Sequence, residues 1–386
     1  MAVFYVNGRK YNCYRREKPY FMKTITLNGK RMYVYGDGEK DANKKIEALK
    51  EAAARGEDVS LRNAETGKTM RYWLFNVKRV DRDLKASSFA RYESTFRVHI
   101  EPASISHIKL TKLSSAQLQA YVTSLSEDEN LSSATIQFIV RVLKMFFSWA
   151  VDEGYITKNP SRRLTLTGER TKGKKRKIEV FSEEERKKIV SYMAESKYQY
   201  DTVVLLALAT GMREGELLAL KWGDIDFEKH ELYVRVTTNM VTHVDKDGNR
   251  DRYREIWDPK SDESARTIPL LESTCTLLRA HQRKQLEFFM AHGIRSDYVF
   301  TTNTGQLVDP SSFVKSYKRM LERAGVPYRK FHTTRHTFAT EAIRRGVHVE
   351  DLRKILGHAD IATTYIYVQA SEESKRNAIE LMGAII

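Results

Sequence analysis

The chain has 386 residues, enough for two or three domains with separate cores, and its 66 lysines and arginines outnumber 50 aspartates and glutamates for a formal net charge of +16. That surplus is the electrostatic footprint of a protein that sits on phosphate. Two cysteines, Cys13 and Cys275, argue against a disulfide framework or a cysteine zinc site, and the start MAVFYVNGRKYNCYRRE lacks the apolar stretch of a signal peptide. With no apolar run read as long enough to span a bilayer, a reducing, cytoplasmic setting away from membrane is expected.

Residues 1–62 read as a small α+β module. Phe21 to Leu27 and Arg31 to Tyr35 are β-rich runs joined across Asn28-Gly29, a pair that favours the positive φ values of a two-residue hairpin turn. After Gly36-Asp37-Gly38, Ile46, Leu49 and Ala53 fall on one stripe of a helix, so about three strands with one helix behind them are expected. Arg9, Lys10, Arg15, Arg16, Lys18, Lys23, Lys30 and Arg31 alternate with Tyr5, Tyr11, Tyr14, Tyr20 and Tyr33, as on a solvated basic face or a nucleic-acid surface.

Residues 67–165 read as all-helical. Tyr72 to Val80, Ser87 to His99, Ser114 to Leu125 and Ser132 to Glu153 carry apolar residues at three- and four-residue spacing, with Ser87, Ser114 and Ser132 placed as caps. Phe146, Phe147 and Trp149 suit a bundle core better than a stacking platform, and Asn159-Pro160 closes the bundle. Residues 166–180 are a linker around the basic run Arg170 to Lys177, which has no apolar anchor. A nuclear-localisation signal would share that composition, but nothing else in the chain supports one. Helix resumes at the capping box Ser182 to Glu185. Residues 181–386 then mix helices with strands expected over Glu231 to Val241, Arg252 to Trp257 and Thr267 to Leu271, a mainly-α domain with a small antiparallel sheet.

Five segments of this last region stand out: Arg213 in TGMREGELLAL, Lys260 in PKSDESARTIPL, His332 and Arg335 in HTTRH, His358 in LGHADIATT and Tyr367 in TTYIYV. In this order, and with flanks such as Thr210-Gly211 and Leu356-Gly357, they resemble the catalytic domain of the tyrosine recombinases, the integrases of phages and conjugative transposons. The likeness covers about Phe181 to Val368. Met212 and Thr333-Thr334 depart from the family's usual residues without touching charge chemistry, and Val368-Gln369 lacks the histidine often found two residues after the nucleophile.

The residue types suit attack on a phosphodiester. Arg213 and Arg335 offer planar forks that bind two phosphate oxygens and stay protonated, so they are the candidate clamps for developing charge. Arg213 with Glu216 alone would read as a structural ion pair, although Arg213-x-x-Glu216 is itself the family's pattern. His332, at i relative to Arg335 at i+3, shares its helix face and is the candidate general base or phosphate donor, whereas His336 is read as facing elsewhere in a structural role. Lys260, on a hairpin or sheet edge, is the candidate general acid for the 5′ oxygen. His358, after a helix C-cap, faces the phosphate, and Tyr367 is the nucleophile, selected over Tyr365 by the family's Thr-Thr-x-x-Tyr spacing. A zinc site from His332, His336 and His358 lacks an HExxH glutamate and a cysteine, and phosphotyrosine chemistry needs neither metal nor other cofactor.

The resemblance implies a multidomain enzyme: an N-terminal arm-type DNA-binding domain, an all-α core-binding domain that clamps the duplex and a catalytic domain with a C-terminal tail. It implies a bacterial site-specific recombinase acting as a homotetramer on the core and arm sites of double-stranded DNA, through a 3′-phosphotyrosyl intermediate and a Holliday junction. Accessory DNA-bending or directionality factors are expected partners. The tail SEESKRNAIELMGAII is amphipathic, as for docking into a neighbouring protomer or onto its own domain. A type IB topoisomerase-like relaxing enzyme and a DNA-binding regulator without catalysis are the alternatives.

Overall fold

The computed structural model describes residues 3–6, 9–15, 18–27, 30–54, 61, 64–81, 84–166, 178–195, 200–257 and 265–370. The chain forms two compact units, residues 1–174 with 243–250, and residues 175–242 with 251–386. The first opens with a ribbon of β1 (Phe4–Val6) and β2 (Arg9–Tyr11), followed by the antiparallel sheet β3 (Cys13–Arg15), β4 (Lys18–Leu27) and β5 (Lys30–Gly36). Leu27 pairs with Lys30 at the end of the β4–β5 ladder, and Asn28-Gly29, where the hairpin turn is expected, lies outside the described residues. Helix α1 (Glu39–Ala54) packs on β4 and β5 and buries Ala42 and Ile46 with Phe21 and Val34. Among the described residues the module holds the expected three-stranded sheet with a helix behind it, and adds the β1–β2 ribbon.

Four helices follow: α2 (Thr66–Tyr72), which widens into a π-helical stretch to Lys78, α3 (Ala86–Thr95), extended likewise to Ile100, α4 (Ser115–Glu127) and α5 (Ser133–Asp152). Ser114 and Ser132 cap as expected, each accepting a backbone N–H at 3.2 Å. Ser87 does not: α3 starts after Lys85, leaving Ser87 inside the first turn with no cap bond to make. Phe146 and Phe147 are fully buried with Trp73 and Phe96, and Trp149 packs at the edge of that core. Helix α5 is long and apolar enough to cross a membrane by length and composition, contrary to the reading of the sequence; its apolar side chains, among them Ile139, Leu143 and Phe146, fill this unit's own core.

The second unit begins with α6 (Glu183–Glu195), whose capping box joins Ser182 and Glu185 reciprocally at 2.8 and 3.1 Å. Then come α7 (Asp201–Thr210) and the short α8 (Glu214–Leu218). Strands β6 (Ile225–Asp226), β7 (Glu231–Val234), β8 (Thr237–Val244), β9 (Arg250–Trp257) and β10 (Arg266–Pro269) follow, with β7 between β6 and β10 and β8 paired to β9. The expected strand over Glu231 to Val241 is therefore two strands, broken at Arg235-Val236. Helices α9 (Glu272–His292), α10 (Pro310–Arg323), α11 (Thr333–Arg344), α12 (Val349–Leu356) and α13 (Ala362–Ala370) complete it. One core runs from Phe181 through α7 and the sheet to Phe313 and Phe331, and a second, smaller one joins α11, α12 and α13.

Candidate active site

The apolar side chains of α7 anchor the first arginine. Val203, Leu206 and Ala207 are buried, and the helix stops at Gly211, whose φ of +67° suits glycine alone; a Cβ there would lie 2.5 Å from the Phe338 ring. The turn delivers Arg213 to the start of α8, where its backbone N–H and its Nη1 both donate to Glu216, at 2.9 and 2.7 Å. Its Nη2 continues to the carbonyl of Gly357 at 3.0 Å.

Glu216, on the first turn of α8, serves two arginines. Arg266 of β10 donates to the same carboxylate at 3.1 and 2.8 Å, and its Nε reaches the Ile355 carbonyl at the end of α12 at 2.6 Å. Burial alone would raise the Glu216 pKa, but the hydrogen bond and charge of Arg266, with the charge of Arg213, outweigh it and hold the group at about 2. Sequence reading singled out Glu216 but gave Arg266 no role; the signal was an arginine opening a strand, which composition cannot distinguish from a surface cation.

Helix α11 carries the next group. His332 is its N-cap, and Arg335, one turn in, is only 1% exposed. The Arg335 guanidinium donates to the carbonyls of Gly211 (2.9 Å) and Leu356 (2.8 Å) and lies 2.7 Å from Nε2 of His358. Burial and the Arg213 charge push its pKa down to about 9, still high enough to keep it cationic at neutral pH. A guanidinium only donates, so His358 Nε2 must accept and its proton must sit on Nδ1, facing Thr364 Oγ1 at 2.9 Å. Burial and the charges of Arg335, Arg213 and Arg266 push the His358 pKa down to about 3, in keeping with a neutral ring. Gly357, at φ +65°, caps α12 and turns the chain into His358.

Tyr367 is 2% exposed on α13, packed on Ala339, Ile343, Leu352 and Leu356, while Tyr365 faces solvent. Burial pushes its phenol pKa up, against the opposing pull of Arg335 and Arg213. Its Oη lies 2.9 Å from Nδ1 of His336. This corrects the reading of His336 as facing elsewhere. Residues i and i+4 are neighbours on a helix, so the His332 and His336 rings meet edge to face at 4.6 Å, and His336 is the one next to the tyrosine. His332 is open to solvent at its edge, yet the surrounding protein and the charges of His336, Arg335 and Arg213 hold its pKa down to about 4.

Arg213, His332, Arg335, His358 and Tyr367 thus come together within one unit. Lys260 lies in 258–264, outside the described residues, between the end of β9 and the start of β10. Two guanidiniums on the successive carbonyls of Leu356 and Gly357, with two imidazoles and a phenol beside them, can hold a phosphate diester and present an oxygen nucleophile to it. Among the described residues no cluster of three or more His, Cys, Asp or Glu could hold a metal ion, and both ring nitrogens of His358 are engaged.

Residues 179–374 match the phage integrase family, and residues 67–126 match its N-terminal SAM-like domain. The chain is 38% identical to a XerC-like tyrosine recombinase of Caldanaerobacter subterraneus subsp. tengcongensis, over 97% of this chain and 99% of that protein. It is 27% identical to the ICEBs1 integrase of Bacillus subtilis over 61% of each. The solved integrase of the Tn1549 transposon, bound to circular-intermediate DNA, has a similar fold: TM-score 0.67 at 19% identity, covering 83% of this chain and 99% of that one. A matching family over half the chain, a relative matched end to end and a shared fold place this chain in the phage integrase family, as a tyrosine-type site-specific DNA recombinase.

Proposed function

We propose that this recombinase serves a mobile element and cleaves DNA with Tyr367, leaving a 3′-phosphotyrosine, while Arg213 and Arg335 hold the nonbridging oxygens of the scissile phosphate. The observation that carries this is the seating of both guanidiniums on the adjacent Leu356 and Gly357 carbonyls, which aims two charged forks at one place beside His358. Such preorganised donors act most strongly where charge develops in the transition state. Lys260 supplies the proton to the departing 5′ oxygen, and His332 flanks the phosphate. Its position in the sequence supports the Lys260 role. Conservation of phosphodiester energy in the tyrosine link means that rejoining needs no further energy source.

The domains divide the work as follows. Residues 1–62 bind arm-type sites, the helices of 67–165 bind the core site, 166–180 are the linker and 181–386 carry the chemistry. Four protomers act on two duplexes through a Holliday junction, with accessory bending or directionality factors. The amphipathic C-terminal tail, which links protomers in this reading, falls in 371–386, outside the described residues. What supports this part is the basic, tyrosine-rich N-terminal module and the DNA named with the Tn1549 integrase.

The test is Tyr367→Phe on duplex DNA spanning the ends of the element that carries the gene. DNA binding should persist within a few-fold, while the detergent-stable protein–DNA adduct disappears, since only the phenolic oxygen is lost. An adduct that persists and maps to Tyr365 would overturn the assignment of the nucleophile.

A further inference from the structure

A phenol at neutral pH keeps its proton, and something must take it before or during attack. His332 is the base expected from sequence, yet it touches the His336 ring and makes no hydrogen bond to Tyr367. Among the described residues, the one side chain hydrogen-bonded to Oη is His336, through Nδ1 at 2.9 Å, with the two rings 5.6 Å apart. That distance is within the reach a general base needs.

We propose that His336 is the general base for Tyr367. Resting on the reading that Tyr367 is the nucleophile, the step balances as follows. The Oη–H proton passes to His336 Nδ1, the Oη electron pair forms the Oη–P bond, and the P–O5′ pair leaves with O5′, which takes a proton from the general acid. In rejoining, the O5′ hydroxyl gives its proton back to the deprotonated general acid as O5′ attacks phosphorus, the Oη–P bond breaks with its electron pair on Oη, and the His336 imidazolium returns the proton to Oη.

Three further observations support the assignment. His336 follows Arg335 directly on α11, so the base and a phosphate anchor share one rigid element and a fixed spacing. Burial and the Arg335 charge keep the ring's pKa below its usual value, so it meets the phenol unprotonated. Among the described residues Tyr367 is otherwise packed on the apolar side chains of Ala339, Ile343, Leu352 and Leu356, with no other side chain hydrogen-bonded to its Oη. Proton transfer from a free phenol to a free imidazole is uphill by about 3.5 pKa units, so the transfer has to run together with Oη–P bond formation. His332, edge-on to His336, then positions that ring and does not act on the phenol.

The experiment is single-turnover adduct formation on the same element-end duplex, with wild type, His336→Ala and His336→Gln, each in two forms: ordinary Tyr367, and a polyfluorinated tyrosine at 367 whose phenol ionises more readily. With ordinary tyrosine, His336→Ala should slow adduct formation on the order of 10² to 10⁴-fold while DNA binding and melting temperature stay close to wild type. The fluorinated residue should restore most of that rate, and should not restore Arg335→Lys, whose defect lies at the nonbridging oxygens. Wild-type rates in His336→Ala, or an equal defect with both tyrosines, would overturn the base role while leaving Tyr367 as nucleophile. An adduct formed by Tyr367→Phe would instead overturn the underlying reading, and this proposal with it. If His336→Ala does not fold, ¹⁵N NMR of the wild-type protein without DNA decides: an unprotonated Nδ1 with the proton on Nε2 is required, and a protonated Nδ1 rules the base role out.

Discussion

At the scale of single residues, the site is a cluster of positive charge arranged around two imidazoles that must stay neutral, and its pH response follows. His358, depressed from 6.5 to about 3, resists protonation only while the chain is folded, so its stabilisation is complete above pH 6.5 and is lost as pH falls towards 3. His332, depressed from 6.5 to about 4, acts in the same direction. Glu216, depressed from 4.5 to about 2, contributes fully above pH 4.5 and loses that contribution as pH falls towards 2. Melting temperature should therefore begin to fall near pH 6.5 and fall more steeply below about 4.5. His358→Gln should flatten the upper limb and Glu216→Gln the lower one. A calorimetric series in which His358→Gln loses stability between these pH values as steeply as wild type would contradict the neutral, buried imidazole.

The same residues show what a sequence can disclose. Arg213, His332, Arg335, His358 and Tyr367 were legible because each sits in a short segment whose flanks, such as Thr210-Gly211 and Leu356-Gly357, set the backbone that aims it. His336 was misread because only the i, i+3 relation to Arg335 was weighed, although i+4 neighbours also share a helix face and the tyrosine arrives from 31 residues further on. Arg266 was missed for a similar reason: its partners, Glu216 and the Ile355 carbonyl, lie 50 and 89 residues away.

At the scale of elements, local chemistry fixed the ends well. The caps at Ser114, Ser132 and Ser182 all follow from side chains that satisfy nearby backbone. Ser87 failed as a cap because the helix begins two residues earlier than that cap would place it, after Lys85, with no side-chain cap bond at its start. The ribbon near the N-terminus escaped notice because its strands are three residues each, too short to show an alternating pattern. The most demanding joint is Gly211. Gly211→Ala forces a side chain to φ +67° and into the Phe338 ring, so it should destabilise the chain by more than about 1 kcal/mol and slow cleavage, since Arg213 and the carbonyl that holds Arg335 hang on this turn. Urea unfolding, with Ser114→Ala in the other unit as a reference costing about 1 kcal/mol, provides the comparison. A Gly211→Ala protein as stable and as fast as wild type would show that the turn can be rebuilt.

At the scale of the whole molecule, the surplus of 16 positive charges suits non-specific attraction to DNA, which weakens steeply with salt, while specificity has to come from contacts to base edges and DNA shape. Removing residues 1–62 should leave cleavage of a short core duplex within a few-fold of wild type and impair recombination between substrates that carry distant arm sites. Loss of core binding in the shortened protein, measured by gel shift at matched salt, would show that this module does something other than hold arm DNA.

Arg335 has a thermodynamic meaning beyond its chemistry. It is a buried cation whose partners are two carbonyls and a neutral ring, with no carboxylate paired to it among the described residues. A charge sequestered in that way is costly unless it finds an opposite charge, and the single negative charge of a phosphodiester would supply one. If the scissile phosphodiester binds Arg335 as proposed above, the free energy released as it neutralises that charge would stabilise the folded chain by linkage as well as preparing it to react.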